Sequence, residues 1–289
     1  NTSLIGSNAK LFAPNAKKIL VDIDPAELRE ENGLKVDLKI NCDVNDFITM
    51  LNNKKIKWEL NQSWLDKIKD LKKRYPIIQE EYFNQKKLVN PYIFFDTLSR
   101  YSSENDIIIP DASANLVWTY QAYNVSKNQK IFTALNHSPM GYSVAAAIGA
   151  GLGSPKNNII AIIGDGAMQM NIQELATCLQ YNLPVKVISL NNRALGMVRQ
   201  WQDMIYKGRH SHSYMESLPD FVKLVEAYGH VGIKVDTLDQ LDGAMEKCFS
   251  MTDRLVFMDI SIDQNEHVYP MQIKWGAMDD MRLSKAERT

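Results

Sequence analysis

The sequence predicts an α/β fold, a doubly wound and mostly parallel sheet with helices on both faces. Residues 159–163 form a continuous apolar run, and Val185, Val187, Ile188 and Leu190 form a second run; both have the length of strands that are buried on both sides. Residues 171–181 lie between them and repeat apolar side chains at helical spacing, with Asn171 as the expected N-cap. Because a strand, a helix and a strand join in a right-handed crossover, the two strands run parallel and end on one edge of the sheet.

The preceding part of the chain contains further elements of the same kind. Residues 18–24 and 39–44 are each typical of a short strand with acidic residues near its end. Residues 52–87 are rich in Lys, Asn, Glu and Gln and carry one apolar face at helical spacing, which indicates a linker containing a helix. Asn90 is expected to open the next helix, and a strand is expected over residues 107–111.

Polar residues follow both strands of the first βαβ unit. Gly164-Asp165-Gly166 ends the first strand, and Asn192 ends the second strand 27 residues after Asp165. Ligands of open α/β sheets bind at this edge, and a carboxylate and an amide oxygen suit Mg²⁺, which completes its shell with phosphate oxygens and water. The glycines allow close backbone approach, and the following helix start favours an anion. An isolated Gly-Asp-Gly is more often a simple turn, but the second strand end favours a site for Mg²⁺ and a diphosphate.

Composition excludes several classes of partner. The chain has 289 residues, enough for about two domains, and a net charge of -1, which gives no electrostatic reason to expect nucleic acid or membrane partners. It contains no apolar run of transmembrane length and no secretory signal. The three cysteines are widely spaced without a CxxC pair, so we expect neither a zinc site nor a disulfide framework. These features predict a cytoplasmic protein.

The residues around the predicted site resemble a known family. Gly164-Asp165-Gly166 and Asn191-Asn192, at this spacing, resemble the thiamine diphosphate binding motif of the decarboxylase and carboligase superfamily. Residues 195–202, Leu-Gly-Met-Val-Arg-Gln-Trp-Gln, are similar to the acetolactate synthase (acetohydroxyacid synthase) large subunit, and the similarity continues through 213–221 and 266–271. The resemblance is dense from about residue 157 to the last residue.

The resemblance implies a carbon–carbon bond forming transferase that uses thiamine diphosphate and Mg²⁺. Its reaction is the decarboxylation of pyruvate and carboligation to a second 2-keto acid, which gives acetolactate or acetohydroxybutyrate for branched-chain amino acid biosynthesis. Three alternatives remain open: a related enzyme that passes its two-carbon unit to a keto-sugar, a 2-keto acid decarboxylase, or an inactive assembly subunit. The superfamily takes an activating glutamate from an N-terminal pyrimidine-binding domain that nothing in residues 1–289 matches. We therefore expect no catalytic glutamate in this chain and no synthase activity from residues 1–289 alone.

The resemblance also implies roles for particular residues. Mg²⁺ is expected to bind the side chains of Asp165 and Asn192 and the carbonyl of Ala194, and Met197 and Trp201 are expected near the substrate. Residues 113–118 replace the family's Gly-Gln-His-Gln-Met-Trp, so that the side chain of Asn115 stands where the histidine is usual and Leu116 contributes only its backbone. The expected cofactor-binding residues are Asn115, Leu116, Pro139, Met140, Gly164, Asp165, Gly166, Ala167, Asn192, Gly196 and Met197.

The implied domain organisation has four parts. Residues 1–55 form the end of a central FAD-type domain, in which Asp22 and Asp43 match acids that contact the flavin nucleotide, so FAD is expected in the full-length protein. Residues 56–88 form a helical linker, residues 89–265 the thiamine diphosphate domain, and residues 266–289 a tail near the active site. The expected partners are small 2-keto acids, further copies of the chain in a homodimer or tetramer with active sites between subunits, and a regulatory small subunit.

Overall fold

The computed structural model describes residues 5–6, 8–29, 33–57, 59–85, 87–272 and 276–283. The chain divides into two compact units, one formed by residues 1–74 together with 269–289 and the other by residues 75–268. The end of the predicted tail, residues 284–289, lies outside the described residues. Within the described part, no helix combines the length and the apolar character that crossing a membrane requires.

The first unit contains a pair of parallel strands and two helices. Strands β1 (Ile19–Asp22) and β2 (Leu38–Asn41) pair side by side, and helix α1 (Val44–Asn53) follows directly. The carboxylate of Asp43 caps α1 by accepting a 2.7 Å hydrogen bond from the backbone N–H of Asn45. The linker helix is present as α2 (Gln62–Arg74). A 3₁₀ turn (Ala9–Leu11) and a short antiparallel pair, Met271–Gln272 with Met281–Arg282, complete the described elements.

The second unit alternates strands and helices along the chain. Two 3₁₀ turns, Glu80–Asn84 and Leu238–Gln240, accompany these elements. The strands and helices are α3 (Pro91–Tyr101), β3 (Ile107–Pro110), α4 (Ala114–Ala122), β4 (Lys130–Ile131), α5 (Tyr142–Gly153), β5 (Ile159–Gly164), α6 (Asp165–Met168), α7 (Glu174–Gln180), β6 (Lys186–Asn191), α8 (Gly196–Ile205), α9 (Phe221–Ala227), β7 (Val231–Val235), α10 (Leu241–Ser250) and β8 (Val256–Ser261).

The predicted doubly wound parallel sheet is confirmed. Six strands pair in the order β4-β3-β5-β6-β8-β7, and every pair is parallel. Strands β5 and β6 are direct neighbours, and Gly164 is in register with Leu190. The residues that follow these two strands therefore emerge side by side at the carboxyl edge of the sheet.

Each face of the sheet has its own hydrophobic core. Along β5, Ile160 and Ile162 belong to the core that also contains Trp118 of α4 and Met245 of α10. Ile159, Ala161 and Ile163 belong to the opposite core, which α5, α7 and α9 cover. Because successive side chains of a strand point to opposite faces, a continuous apolar run is what a strand covered on both sides requires.

The expected N-cap at Asn171 is wrong. Helix α7 begins at Glu174, and its first turn has no side-chain cap. The side chain of Asn171 instead donates a 2.9 Å hydrogen bond to the carbonyl of Gly141, 30 residues earlier in the chain. The amide is used to join two loops at the carboxyl edge, and the helix therefore starts three residues later.

Candidate active site

A cavity of about 280 Å³ opens at the carboxyl edge of the sheet. It lies where β3, β5 and β6 end, which is where ligands bind in open α/β sheets. Its walls come from four segments that are distant in sequence. They are residues 112–115 with Trp118, Ser138 and Met140 before α5, residues 164–167, and the segment that contains Leu190, Asn192 and residues 194–198.

Asp165 is the buried carboxylate of this cavity, with a side chain only 1% exposed. Its oxygens accept hydrogen bonds from the backbone N–H groups of Gly166 at 2.7 Å and Arg193 at 2.5 Å. Burial raises the pKa of Asp165 to about 7, although these two hydrogen bonds act in the opposite direction. A cation in the cavity would supply the positive charge that stabilises the ionised form of this buried carboxylate.

Asn192 lies beside Asp165 and is 7% exposed. Its Oδ1 accepts a 3.0 Å hydrogen bond from the N–H of Ala194, across a turn in which Arg193 has a φ of 55°. A Cβ atom on Gly196 would come within 2.8 Å of the Asn192 Nδ2, so only glycine leaves room for this side chain. The cavity wall therefore contains the Asn192 amide as well as the Asp165 carboxylate, and Gly196 leaves the space that the amide occupies.

The donor set fits Mg²⁺ bound together with a diphosphate. Among the described residues that line the cavity, Asp165 contributes the one carboxylate, beside the side-chain amides of Asn115 and Asn192. Mg²⁺ is bound in this way, through one or two carboxylates with substrate phosphates and water. A Cβ on Gly166 would lie 3.3 to 3.5 Å from Met215, Met140 and Leu195, so the glycine keeps a close cradle open.

Asp111 joins two segments that contribute to the cavity wall, the one before α4 and the one before α5, and the sequence analysis missed its role. The carboxylate is fully buried and accepts hydrogen bonds from the N–H groups of Ala112 at 2.9 Å, Gly141 at 3.0 Å and Ser143 at 2.9 Å. Gly141 has a φ of 88°, which glycine adopts without strain. An acid directly after a buried strand, at the same edge as Asp165, is the signal that could have identified it.

Ser113 is a second residue that the sequence analysis did not single out. It has a φ of 76° and directly precedes α4, so the chain enters this helix through a strained backbone position. Its Oγ accepts a 3.3 Å hydrogen bond from the N–H of Met197 at the start of α8. Asn115 lies in the first turn of α4, and its Nδ2 would be 3.2 Å from a Cβ on Gly164.

The structure brings together most, but not all, of the predicted site residues. Leu116 and Pro139 do not line the cavity, and neither does Trp201, which is 39% exposed on α8 one helical turn after Met197. Asp22 and Asp43 belong to the first unit. The predicted residues that line the cavity are Asn115, Met140, Gly164, Asp165, Gly166, Ala167, Asn192, Ala194, Gly196 and Met197.

Helix α8, whose first turn lines the cavity, is held by polar contacts further along the helix. The side chain of Gln200 makes two hydrogen bonds with the backbone of Val268, at 3.0 and 2.9 Å. Asp203 binds the rings of His210 at 2.7 Å and His267 at 2.6 Å. Burial alone would raise the pKa of Asp203, but the hydrogen bonds from His267 and His210 hold it below its usual value.

The fold and the site together define an α/β protein that binds a cation and a diphosphate at the carboxyl edge of its parallel sheet. Residues 111–260, which are 150 of the 289 residues, match the family model described as "Thiamine pyrophosphate enzyme, C-terminal TPP binding domain". The chain belongs to this family of thiamine diphosphate (thiamine pyrophosphate) enzymes. The family name specifies a diphosphate cofactor, and a diphosphate is also the ligand that the geometry of the cavity fits.

Among curated proteins, the chain is similar to acetolactate synthase large subunits. The chain is 38% identical over 284 residues to the acetolactate synthase large subunit of Haemophilus influenzae, covering 97% of this chain and 49% of the relative. It is 40% identical over 287 residues to the acetolactate synthase large subunit of Buchnera aphidicola subsp. Schizaphis graminum, covering 97% and 49%. It is 38% identical over 291 residues to the acetolactate synthase isozyme 3 large subunit of Escherichia coli, covering 98% and 50%. The chain thus spans about half the length of the curated relatives it matches.

Proposed function

We propose that this chain supplies the thiamine diphosphate binding half of an acetolactate synthase large subunit. The enzyme decarboxylates pyruvate and joins the two-carbon unit to a second 2-keto acid, giving acetolactate or acetohydroxybutyrate. The observation that carries this proposal is the pair formed by Asp165 and Asn192 at the ends of adjacent parallel strands, facing one cavity. The relatives, which are named acetolactate synthase large subunits, support the choice of reaction.

The proposed cofactor site uses residues that line the cavity. The side chains of Asp165 and Asn192 and the carbonyl of Ala194 would hold Mg²⁺, which would neutralise the charge of the diphosphate. The bound thiamine diphosphate supplies the carbon nucleophile and the electron sink that decarboxylation of a 2-keto acid requires. Gly164 and Gly166 let the backbone approach the diphosphate, and the apolar side chains of Met140 and Met197 exclude water from the reacting end.

Helix α8 is proposed to form the part of the pocket that receives the second 2-keto acid. Met197 lines the cavity, and Trp201 is four residues further along the same helix, so the two side chains lie on one helix face. The exposed indole of Trp201 is proposed to limit the room for the side chain of the second 2-keto acid. The Ser113 Oγ contact with the N–H of Met197 helps to fix the start of this helix.

Additional partners are proposed for the complete enzyme. Asp22 and Asp43 are proposed to contact FAD, although each carboxylate also accepts a local backbone hydrogen bond, from Asp24 at 2.9 Å and from Asn45 at 2.7 Å. Homodimers or tetramers with active sites between subunits and a regulatory small subunit are proposed, and the relatives' designation as large subunits supports the latter. The enzyme is proposed to be cytoplasmic.

The deciding experiment is product analysis of the full-length polypeptide with pyruvate, thiamine diphosphate and Mg²⁺. Acetolactate is the expected product, and Asp165→Ala is expected to abolish its formation. Acetaldehyde would identify a decarboxylase instead, and a branched sugar formed only when a keto-sugar is added would identify another acceptor. If no product forms and the cofactors do not raise the melting temperature, the chain is an assembly subunit. The altered segment at residues 113–118 motivates these alternatives.

A further inference from the structure

A row of polar side chains runs across three neighbouring strands near the carboxyl edge of the sheet, outside the cavity that contains Asp165. Lys234 lies on β7, Asp259 on β8 and Asn191 on β6, which are consecutive strands in the sheet order β6-β8-β7. Lys234 is directly in register with Asp259. None of the three residues lines the cavity that contains Asp165.

The row begins with an ion pair around a buried carboxylate. The Lys234 Nζ donates to the Asp259 Oδ2 at 2.8 Å, and the Asp259 side chain is only 6% exposed whereas that of Lys234 is 41% exposed. The Asn191 Nδ2 donates to both carboxylate oxygens of Asp259, at 3.0 and 3.3 Å. A carboxylate accepts hydrogen bonds but cannot donate them when ionised, so Asp259 can only face the NH₂ end of the Asn191 amide.

Hydrogen bonds through the backbone N–H of Arg193 connect the Asn191 amide to Asp165 in the cavity. With its NH₂ group towards Asp259, its Oδ1 accepts a 3.3 Å hydrogen bond from the backbone N–H of Arg193. The same N–H donates to the Asp165 Oδ2 at 2.5 Å. Arg193 has a φ of 55°, a strained backbone conformation for a residue with a side chain, and it stands between Asn192 and Ala194.

We propose that Lys234, Asp259 and Asn191 are positioning residues for the Mg²⁺ site. Lys234 holds the Asp259 carboxylate in place through the ion pair, Asp259 selects one orientation of the Asn191 amide, and the Asn191 oxygen holds the turn at Arg193. This turn presents the Asn192 side chain and the Ala194 carbonyl to the same cation as Asp165. The inference rests on the proposed function, because it assumes that these three groups bind Mg²⁺.

The test measures Mg²⁺ affinity in the full-length polypeptide at saturating thiamine diphosphate, by thermal shift and by activation of pyruvate turnover. Asn191→Ala and Asp259→Ala are each expected to raise the apparent Mg²⁺ dissociation constant about tenfold, a typical effect of residues that orient metal ligands. At saturating Mg²⁺, kcat is expected to stay within about twofold of the wild-type value, because the ligands themselves are retained. A purely structural defect would instead lower kcat at every Mg²⁺ concentration.

Two variants serve as controls. Asp259→Asn keeps an oxygen that can accept from Asn191, so it is expected to restore most of the affinity lost in Asp259→Ala. Asp236→Asn removes a carboxylate that is also close to Lys234, at 3.6 Å, but lies outside the row, so the apparent dissociation constant is expected to be unchanged. Should Asp259→Ala fail to fold, Asn191→Ser takes its place and is expected to raise the apparent dissociation constant, whereas Asp259→Asn is expected to leave it close to the wild-type value.

The double variant decides whether the residues act as one chain. If they do, Asn191→Ala with Asp259→Ala binds Mg²⁺ no more weakly than the weaker single variant, whereas independent effects multiply. If the increases in the apparent dissociation constant multiply in the double variant, or if both single variants bind Mg²⁺ with wild-type affinity, this inference is wrong but the proposed function is not affected. A wild-type protein whose melting temperature does not respond to Mg²⁺ and thiamine diphosphate would overturn the proposed function and this inference together.

Discussion

The Asp165 Oδ2 accepts a 2.5 Å hydrogen bond from the backbone N–H of Arg193, and this contact joins the end of β5 to the turn after β6. The two elements are 28 residues apart in sequence, but they meet because their strands are adjacent and parallel. The hydrogen bond stabilises the ionised carboxylate, but burial outweighs it, since the pKa of Asp165 is raised to about 7. Without a cation, the buried ionised carboxylate of Asp165 therefore lowers the stability of the folded protein.

This loss of stability predicts how the ligand-free protein responds to pH. The folded state holds a proton on Asp165 up to about pH 7, whereas the unfolded state releases it near the ordinary value of 3.8. The contribution of Asp165 to the free energy of unfolding is therefore fully present below about pH 4 and is lost as pH rises through 7, by at most about 4 kcal/mol.

Urea unfolding at pH 5 and pH 8 without Mg²⁺ provides the measurement. The side chain in Asp165→Asn carries no charge at either pH, so this variant is expected to be more stable than the wild type at pH 8. It is also expected to gain no stability when Mg²⁺ and thiamine diphosphate are added. Such a variant would show that the carboxylate is kept for binding and not for stability. If the variant and the wild type lose the same stability between the two pH values, the raised pKa of Asp165 is wrong.

Mg²⁺ binding is predicted to weaken in acid for the same reason. A metal ligand must be deprotonated, so protons compete with Mg²⁺ for Asp165 below about pH 7. The apparent Mg²⁺ dissociation constant at saturating thiamine diphosphate is expected to rise about tenfold for each pH unit below 7 and to level off above it. Calorimetric titration at pH 5.5, 6.5 and 8 would check this; an affinity that does not change over this range would contradict it.

The βαβ unit and the position of Asp165 and Asn192 at one edge of the sheet were predictable because they depend on local sequence. Continuous apolar runs specify strands with both faces covered, and the crossover rule then places Asp165 and Asn192 at one edge. Lys186 shows the limit of this reasoning, since a charged residue lies fully buried at the start of β6. It is accommodated there because its Nζ donates to the backbone carbonyl of Met251, 65 residues away.

The features that were missed depend on contacts between distant segments. Asn171 has the sequence context of a helix cap, but the carbonyl of Gly141 competes for its amide. Asp111 gathers N–H groups from a loop 30 residues later, and nothing near it in sequence indicates that partner. The exposure of Trp201 likewise depends on what covers α8, which helical spacing alone does not specify.

Gly196→Ala is predicted to damage the cation site by steric displacement. Its Cβ would come within 2.8 Å of the Asn192 Nδ2, so the Asn192 side chain must move. We expect the apparent Mg²⁺ dissociation constant to rise at least about tenfold, as for other changes that misplace a ligand. Gly149→Ala is the matched control, because its Cβ meets nothing within 4 Å in α5. The control is expected to retain wild-type affinity and to gain up to about 1 kcal/mol in stability, since alanine favours a helix over glycine.

Asp111→Asn is predicted to loosen the two segments of the cavity wall that Asp111 joins. The carboxylate accepts from the N–H groups of Ala112, Gly141 and Ser143, and an asparagine would turn one of its NH₂ hydrogens towards a donor. Because the group is fully buried and the lost hydrogen bonds are charge-assisted, the free energy of unfolding is expected to fall by about 3 kcal/mol. Asp239→Asn, at an exposed position, is expected to change it by less than about 0.5 kcal/mol. Equal urea midpoints for the two variants would mean that Asp111 does not hold these two segments together.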